Sequence, residues 1–298
     1  MDLYESALIL EGGGLRGIYT SGVLRYFMDQ GVFLSYVIGV SMGACNAANY
    51  VSRQPERNRI VNTRFVNDPR YLSYRRLLTG GELFGMKFIF DTIPNSLVPF
   101  DYQTFMESDM KCITVTTDCM TGEPVYFEKN ELGKDYISIL QASTCLPFIA
   151  KPVRYNGHIL MDGGLSDSVP IRKSIADGNR KNVLVLTQPK GYRKQKFKFT
   201  RFTRMLYFRF PGLCEALAHR YIRYNETMDL IDTLEQEGKV FVIRPRSALS
   251  VGRIERNKGK LYDVYDQGYR DASESYEGLC RYLTNPPVHP YDSAEPLP

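Results

Sequence analysis

The strongest constraint on the fold lies in the first 55 residues, where strand and helix patterns alternate twice. The apolar run Ala7–Leu10 predicts a buried strand, and the glycines that follow it predict a tight turn. Apolar residues then recur every four positions, which predicts a helix from about Arg16 to Gln30. The short strand Tyr36–Val40 and an alanine-rich helix over 42–52 repeat this order. Two such units in succession indicate a parallel sheet that is covered by helices.

The rest of the chain continues the alternation and predicts an α/β protein, a three-layer α/β/α sandwich with a mostly parallel central sheet. Further strands are predicted at 112–117, 124–127, 152–155, 158–161, 182–187 and 240–243. Further helices are predicted at 136–143, 213–231 and 261–276. The stretch 67–99, which glycines and prolines interrupt, reads as an irregular segment that could cover a site. We expect one domain over 1–284, with its core motifs in 6–190 and C-terminal helices and a strand in 191–284, followed by a proline-rich, loosely ordered tail over 285–298.

Composition excludes several classes of protein. The 43% content of hydrophobic residues excludes a disordered chain, and no run of about 18 apolar residues could form a spanning helix. The N-terminus lacks the pattern of a secretory signal, and the six cysteines form no C-x-x-C pair. These features predict a cytoplasmic protein with free thiols, no zinc site and no other cofactor.

The first loop, Gly12-Gly13-Gly14-Leu15-Arg16-Gly17, fits the pattern G-x-G-x-x-G between a strand and a helix. A dinucleotide site would also need an acidic residue at the end of the second strand, and Ser41 stands there instead. Bare amides at the start of a helix also suit an anion, including the oxyanion of an ester under attack. A plain tight turn remains the structural alternative.

The second junction, Gly39-Val40-Ser41-Met42-Gly43, fits G-x-S-x-G between a strand and a helix. This is the pattern of a nucleophile elbow, in which a strained turn exposes a serine hydroxyl. Ser41 is therefore the candidate nucleophile, with Gly39 and Gly43 as the small residues of the elbow. A simple N-terminal cap of the following helix is the alternative interpretation of Ser41.

A serine nucleophile needs a base, and the candidate is Asp162 in Asp162-Gly163-Gly164. A carboxylate near its reference pKa of about 3.9 is a weak base, but burial would raise that pKa. Asp118 and Asp167 are rival carboxylates whose positions suggest that they fix loops.

Histidine offers a competing base. An ordinary α/β-hydrolase places its serine later in the chain and needs a histidine after it. The three histidines are His158, in the predicted hairpin, His219, in a helix, and His289, in the tail. A Ser/His hydrolase that uses His158 therefore remains open, as does a non-catalytic acyl-binding or nucleotide-binding protein.

Taken together, the three motifs resemble those of the patatin-like phospholipase family. The run Glu11–Gly17 is similar to the family's oxyanion loop, Gly39–Ala44 to its serine elbow, and Asp162–Gly164 to its D-G-G/A motif. The resemblance covers about residues 6–190, and the size of the chain is similar to that of the small bacterial single-domain members. One departure is the pair Thr144 and Cys145, since many members carry a small residue at position 145.

The resemblance implies a lipid acyl hydrolase of the phospholipase A type, with a Ser41–Asp162 dyad, an acyl-enzyme and no metal. It implies that amides around Gly13 and Gly14 hold the oxyanion, and that Arg16 fixes the loop or meets a lipid phosphate. A non-lipid carboxylesterase or a thioesterase is the alternative within the same chemistry.

The net charge of +5 resides in one segment, 190–210, which holds eight basic residues and no acidic one. The rest of the chain carries 30 basic and 33 acidic residues. Seven aromatic residues alternate with these cations, a composition that favours the surface of an anionic membrane. Nucleic acid ranks lower because no nucleic-acid-binding motif accompanies the segment. A connector whose aromatics pack on the core is the alternative, and the sequence predicts no oligomeric state.

Overall fold

The structure, a computed structural model, describes residues 3–287 and is built around one sheet. Its strands are β1 (Tyr4–Leu10), β2 (Leu34–Val40), β3 (Lys111–Asp118), β4 (Pro124–Glu128), β5 (Val153–Tyr155), β6 (His158–Asp162), β7 (Asn182–Val185) and β8 (Val240–Ile243). Every strand predicted from the sequence is present, with ends that differ by a few residues.

The α-helices lie mostly between the strands, as the alternating pattern predicts. They are α1 (Ile18–Asp29), α2 (Met42–Val51), α3 (Arg57–Arg64), α4 (Tyr74–Leu78), α5 (Tyr102–Glu107), α6 (Lys129–Leu132), α7 (Tyr136–Thr144), α8 (Ile171–Ala176), α9 (Thr200–Leu206), α10 (Pro211–Gln236) and α11 (Lys258–Thr284). Short 3₁₀ turns cover Gly14–Gly17, Gly133–Asp135 and Gly163–Leu165, and a π-helical segment covers Phe88–Leu97. The helix expected from Arg16 thus begins with a 3₁₀ turn.

The sheet has the strand order β5-β6-β3-β2-β1-β7-β8, with β4 paired to β3. The strands β3, β2, β1, β7 and β8 run parallel to one another. The hairpin β5–β6 and the strand β4 pair antiparallel to their neighbours. The central sheet is therefore mostly parallel, as predicted.

Apolar residues cover both faces of the sheet. Along β1, Leu8 and Leu10 face one cluster, and Ala7 and Ile9 face the other. Side chains of α1, α2 and α11 complete the first cluster, and α8 and α10 complete the second. Alternate burial of a strand on two helical layers is what a three-layer α/β/α sandwich requires, so the predicted fold class is confirmed.

The stretch 67–99, which the sequence left without elements, contains α4 and the π-helical segment. It also contains an antiparallel bridge between Leu72 and Phe84. Within residues 3–287, no helix is long and apolar enough to cross a membrane. Most of the expected tail, residues 288–298 with His289, lies outside the described residues.

Candidate active site

Ser41 lies at the sharp turn between β2 and α2 in a strained backbone conformation. Its φ of 56° and ψ of −124° place a non-glycine residue in the sparsely populated left-handed half of the Ramachandran plot. The glycines around it are required by close packing. A Cβ at Gly43 would lie 2.4 Å from the Leu10 carbonyl oxygen, and one at Gly39 would lie 2.6 Å from that of Gly43. The local geometry is that of a nucleophile elbow.

A buried serine from a different helix stabilises this turn. The amide of Ser41 donates to Ser143 Oγ at 2.8 Å, and Ser143 Oγ donates to the Val115 carbonyl oxygen at 2.7 Å. Ser143 lies on α7 and is fully buried. It thus links the elbow to β3. This role of Ser143 was not predicted from the sequence.

The sheet register brings Asp162 next to Ser41, although 121 residues separate them. Val40 pairs with Val115 on β3, and the next residue of β3, Thr116, pairs with Asp162 on β6. The strand β6 therefore continues along β3 from the point where β2 ends. Ser41, the residue after Val40, consequently lies beside Asp162.

The two side chains form a direct hydrogen bond. Ser41 Oγ donates to Asp162 Oδ2 at 2.7 Å, and the amide of Gly164 donates to Asp162 Oδ1 at 2.8 Å. Both side chains are buried, with Ser41 6% and Asp162 2% exposed. Burial raises the pKa of Asp162, and the positive charge of Arg220 opposes that rise. A carboxylate of raised basicity thus contacts the serine hydroxyl without an intervening imidazole.

The glycine loop lies against the same serine. A Cβ at Gly12 would be 3.1 Å from Ser41 Cβ. Among the described residues, none accepts a hydrogen bond from the amides of Gly12, Gly13 or Gly14. Glu11 anchors the start of the loop, since it accepts from Thr187 and Tyr224. The loop therefore presents unused donors beside the hydroxyl, as an oxyanion site requires.

The other residues of the loop have different positions. Leu15 lines the large cavity described below. Arg16 lines the polar cleft that holds Ser41 and Asp162, and burial lowers the pKa of its guanidinium. Gly17 has a structural position, since its carbonyl oxygen accepts from Asn46 Nδ2 at 2.8 Å. In the aspartate motif, a Cβ at Gly163 would lie 2.3 Å from the Val115 carbonyl oxygen, so this glycine permits close packing on β3.

A large apolar cavity of about 520 Å³ opens beside Ser41. Its walls come from α2, α7 and the stretch 67–99, and include Ala48, Phe84, Ile89, Phe90 and Leu140. This size is within the range of small-molecule sites, which are typically about 300–1,000 Å³. The stretch 67–99, which the sequence indicated as a segment that could cover a site, thus forms part of the wall of this cavity. The cavity has the shape and chemistry to hold a hydrocarbon chain.

The histidines in the described part of the chain lie elsewhere. His158 Nδ1 contacts Asp118 Oδ2 at 2.7 Å, and the imidazole is 45% exposed at the edge of the sheet. His219 lies on the exposed face of α10 against Glu215. Neither lines the cavity or the cleft that contain Ser41. A histidine base for Ser41 is thus without geometric support among residues 3–287.

The other carboxylates that could act as a base, Asp118 and Asp167, have structural partners. Asp118 accepts from the amides of Met120 and Thr121 in the β3–β4 turn. Asp167 accepts from the Tyr126 hydroxyl at 2.9 Å. Cys45 lines the cavity one turn after Ser41, but burial raises the pKa of its thiol to about 12, which keeps it protonated at neutral pH. Within residues 3–287, no group of histidine, cysteine, aspartate or glutamate side chains is arranged to hold a metal ion.

Comparison with known proteins shows relatives that span most of the chain. An uncharacterized protein of Escherichia coli, YjjU, is 27% identical over 251 residues, which cover 82% of this chain and 69% of that protein. An uncharacterized NTE family protein of Mycobacterium tuberculosis is 23% identical over 172 residues, 55% of this chain and 44% of that protein. The chain therefore spans less than half of the mycobacterial protein.

Two further similarities come from a virus and a solved structure. The probable lipid hydrolase 463L of invertebrate iridescent virus 6 is 22% identical over 192 residues, 60% of this chain and 66% of that protein. The crystal structure of VipD from Legionella pneumophila aligns with a TM-score of 0.49 at 12% identity, covering 92% of this chain and 67% of that one.

Two family models match the chain. Residues 210–284 match a domain of unknown function. Residues 8–175, more than half of the chain, match the model described as patatin-like phospholipase. This region contains the glycine loop, the serine elbow and the aspartate motif, and the chain therefore belongs to the patatin-like phospholipase family.

Proposed function

We propose that this protein is a lipid acyl hydrolase that cleaves carboxylic esters through a Ser41–Asp162 dyad. The observation that carries the proposal is the 2.7 Å hydrogen bond to a buried carboxylate from Ser41 Oγ, whose residue also lines a large apolar cavity. Membership of the family and the viral relative named as a probable lipid hydrolase support a lipid substrate.

In the proposed reaction, Ser41 Oγ attacks the ester carbonyl while Asp162 accepts the hydroxyl proton. The carbonyl electron pair moves to the oxygen, which binds amides of the loop Gly12–Gly14. The tetrahedral intermediate collapses and expels the alcohol, which takes the proton from Asp162. Water then attacks the acyl-enzyme with Asp162 again as base, and the fatty acid leaves as the serine recovers its proton. The amides of the loop stabilise the negative charge on the oxygen in the transition state. Losing one such donor typically lowers the rate by about 10²–10³-fold.

The test is hydrolysis of p-nitrophenyl esters by the wild type and by Ser41→Ala and Asp162→Asn, each checked for folding by circular dichroism. We expect kcat/KM of both variants to fall by at least about 10³-fold, because a serine nucleophile and its base act together and losing either one removes the function of both. His158→Gln is the matched control and should retain activity. An active Asp162→Asn variant would reject the dyad. A wild type that binds fatty acid but turns over no ester would favour a non-catalytic acyl-binding protein.

The segment 190–210 supports a second part of the proposal, docking on an anionic membrane surface. Five apolar side chains in and beside α9 are at least half exposed: Phe199, Phe202, Met205, Leu206 and Phe208. This apolar surface adjoins the cavity, because Phe148 and Phe197 line the cavity and Phe148 stacks on Phe202 with ring centroids 6.3 Å apart. Basic residues of the segment would meet anionic lipid headgroups, at about 1 kcal/mol for each cation near the surface.

Vesicle co-sedimentation at low salt tests this docking. Phosphatidylglycerol-containing vesicles should retain the protein more strongly than phosphatidylcholine vesicles, and Phe199→Ser with Phe208→Ser should weaken retention. Tyr262→Ser is the control, since Tyr262 is also exposed but lies on α11. Equal retention on the two kinds of vesicle would reject docking.

We also infer that residues 1–284 form one folding unit. The strand β8 extends the sheet beside β7, and α11 packs closely along α1, where a Cβ at Gly22 would lie 2.0 Å from the Tyr265 carbonyl oxygen. A chain truncated before α10 should therefore fail to give a cooperative unfolding transition. A truncated chain that unfolds cooperatively would indicate separate domains.

A further inference from the structure

Three basic side chains from outside the matched patatin region line the polar cleft at Ser41. Lys194 lies in the connector after β7, Arg220 lies on α10, and Arg253 lies in the loop before α11. All three line the narrow cleft that contains Ser41 and Asp162. The C-terminal part of the chain therefore contributes directly to the surroundings of the nucleophile.

Within residues 3–287, no ion pair shorter than 4 Å joins Lys194, Arg220 or Arg253 to an acidic side chain. The acidic groups of the cleft are Glu11 and Asp162. Glu11 already accepts three hydrogen bonds from Thr187 and Tyr224, and Asp162 accepts from Ser41 and Gly164.

Neutral groups hold two of the cations in place. Lys194 Nζ donates to Ser168 Oγ at 2.9 Å and lies 3.5 Å from the centre of the Tyr224 ring. Arg220 Nε donates to the Gly164 carbonyl oxygen at 2.5 Å. Arg253 is exposed, and its side chain forms no hydrogen bond with any of the described residues. Neutral contacts thus hold Lys194 and Arg220 in place. The carboxylates of Glu11 and Asp162 interact with them electrostatically but are fewer than the cations of the cleft.

Arg16 adds a fourth cation to the same cleft. Its Nε is buried and has no hydrogen-bond partner in the described part of the chain. Burial, together with the positive charges of the neighbouring arginines, lowers the pKa of Lys194 well below its usual range. Burial likewise lowers the pKa of Arg220 to about 10. Four cations beside two carboxylates repel one another, and a bound anion would relieve that repulsion.

We propose that Lys194, Arg220 and Arg253 form an anion subsite that binds the phosphate group of an acylated glycerol phosphate while Ser41 attacks its ester. This proposal deepens the proposed function and rests on it. The nucleophile lies where the polar cleft and the apolar cavity meet, because Ser41 lines both. A substrate that places its acyl chain in the cavity would therefore place a phosphate a few bonds from the ester among these cations. Bidentate contacts from arginine to phosphate oxygens suit such a site.

The test compares two substrates that differ only in the phosphate: 1-hexanoylglycerol 3-phosphate and 1-hexanoylglycerol, both below their critical micelle concentrations. We expect the wild type to prefer the phosphate ester by at least tenfold in kcat/KM. Arg253→Gln and Lys194→Gln should each reduce that ratio by at least tenfold, and Arg253→Lys should restore part of it. Arg246→Gln is the control, since Arg246 is 84% exposed and pairs with Glu274 away from the cleft. Equal kcat/KM for the two substrates, or a ratio that Arg253→Gln leaves unchanged, overturns the proposal.

A binding measurement separates this proposal from the proposed hydrolase function. Calorimetry on Ser41→Ala, with inorganic phosphate and with glycerol 3-phosphate, reads the subsite without turnover. Binding that Arg253→Gln weakens at least tenfold supports the subsite even if no ester is cleaved. Ester hydrolysis with no phosphate preference and no phosphate binding leaves the hydrolase intact and rejects the subsite. A phosphate preference without binding of either free anion would identify the lipid-linked headgroup as the ligand.

Discussion

Replacing Ser143 with alanine should loosen the elbow that holds the proposed nucleophile. The hydroxyl of Ser143 accepts from the Ser41 amide and donates to the Val115 carbonyl oxygen, and the side chain is fully buried. Each lost hydrogen bond removes about 1 kcal/mol, and a buried group left without a partner costs about 1–3 kcal/mol. We therefore expect Ser143→Ala to lower the free energy of unfolding by roughly 2–4 kcal/mol, allowing for partial relaxation.

Urea denaturation of Ser143→Ala and Ser138→Ala measures this effect. Ser138 lies on the same helix, α7, but is exposed, so its replacement should change the free energy of unfolding by less than about 0.5 kcal/mol. Ser143→Ala should also reduce kcat for p-nitrophenyl esters, because misplacing a nucleophile by about 1 Å can cost about 10² in rate. Equal stability of the two variants would refute the role assigned to Ser143.

Three further predictions concern the buried carboxylates Asp162 and Asp167 and the apolar cavity. Because burial raises the pKa of Asp162 above its ordinary value of 3.8, kcat/KM should fall on acidification with a midpoint above 3.8, and a lower midpoint would contradict the assignment of the base. Burial raises the pKa of Asp167 to about 6, so folding favours its protonated form. The stabilisation is fully present below about pH 4 and is lost as the pH rises through 6, which lowers the free energy of unfolding by at most about 3 kcal/mol. Urea denaturation at pH 4 and pH 7 should show that Asp167→Asn reduces this loss, whereas Asp266→Asn, at an exposed position, does not. Ile89→Trp, which narrows the apolar cavity, should lower activity on long-chain p-nitrophenyl esters more than on the butyrate, and an equal loss on all chain lengths would argue against an acyl chain in that cavity.

Much of the sheet could be predicted because local patterns and tertiary burial agree. Residues Ala7–Leu10 and Val183–Val185 are apolar runs that lie in central parallel strands, where both faces are covered. The Asn156-Gly157 turn joins β5 to β6, with positive φ at both residues, as this dipeptide favours.

The stretch 67–99 could not be assigned elements because its structure depends on distant partners. The Leu83 amide donates to the Ile149 carbonyl oxygen, and the Lys151 amide donates to Glu82 Oε1. The π-helical segment contains Pro94, which sequence patterns treat as a helix breaker. Within this segment, Ile89 and Phe90 line the cavity, whereas Phe88 and Ile93 are buried in the core.

The cationic cleft was also beyond sequence analysis, because its members come from elements far apart in the chain. Lys194 lies in a segment whose composition is basic throughout, so its position in the cleft cannot be told from that of its neighbours. Arg220 lies on a helix whose apolar residues dominate the pattern, and Arg253 lies in a loop. Only the packing of α10 and the loop before α11 on the patatin region brings them together.

The pairing of β3 explains how Asp162, the proposed base, comes to lie beside Ser41. On β3, Val115 pairs with Val40, the residue before Ser41 at the end of β2. The next residue of β3, Thr116, pairs with Asp162 at the end of β6. Ser143 bridges the same point, since its hydroxyl contacts both Val115 and Ser41. A shift of one residue in the pairing of β3 with β6 would turn β6 over and carry Asp162 to the opposite face. The distance between Ser41 and Asp162 is therefore set by the backbone register of strands in the core.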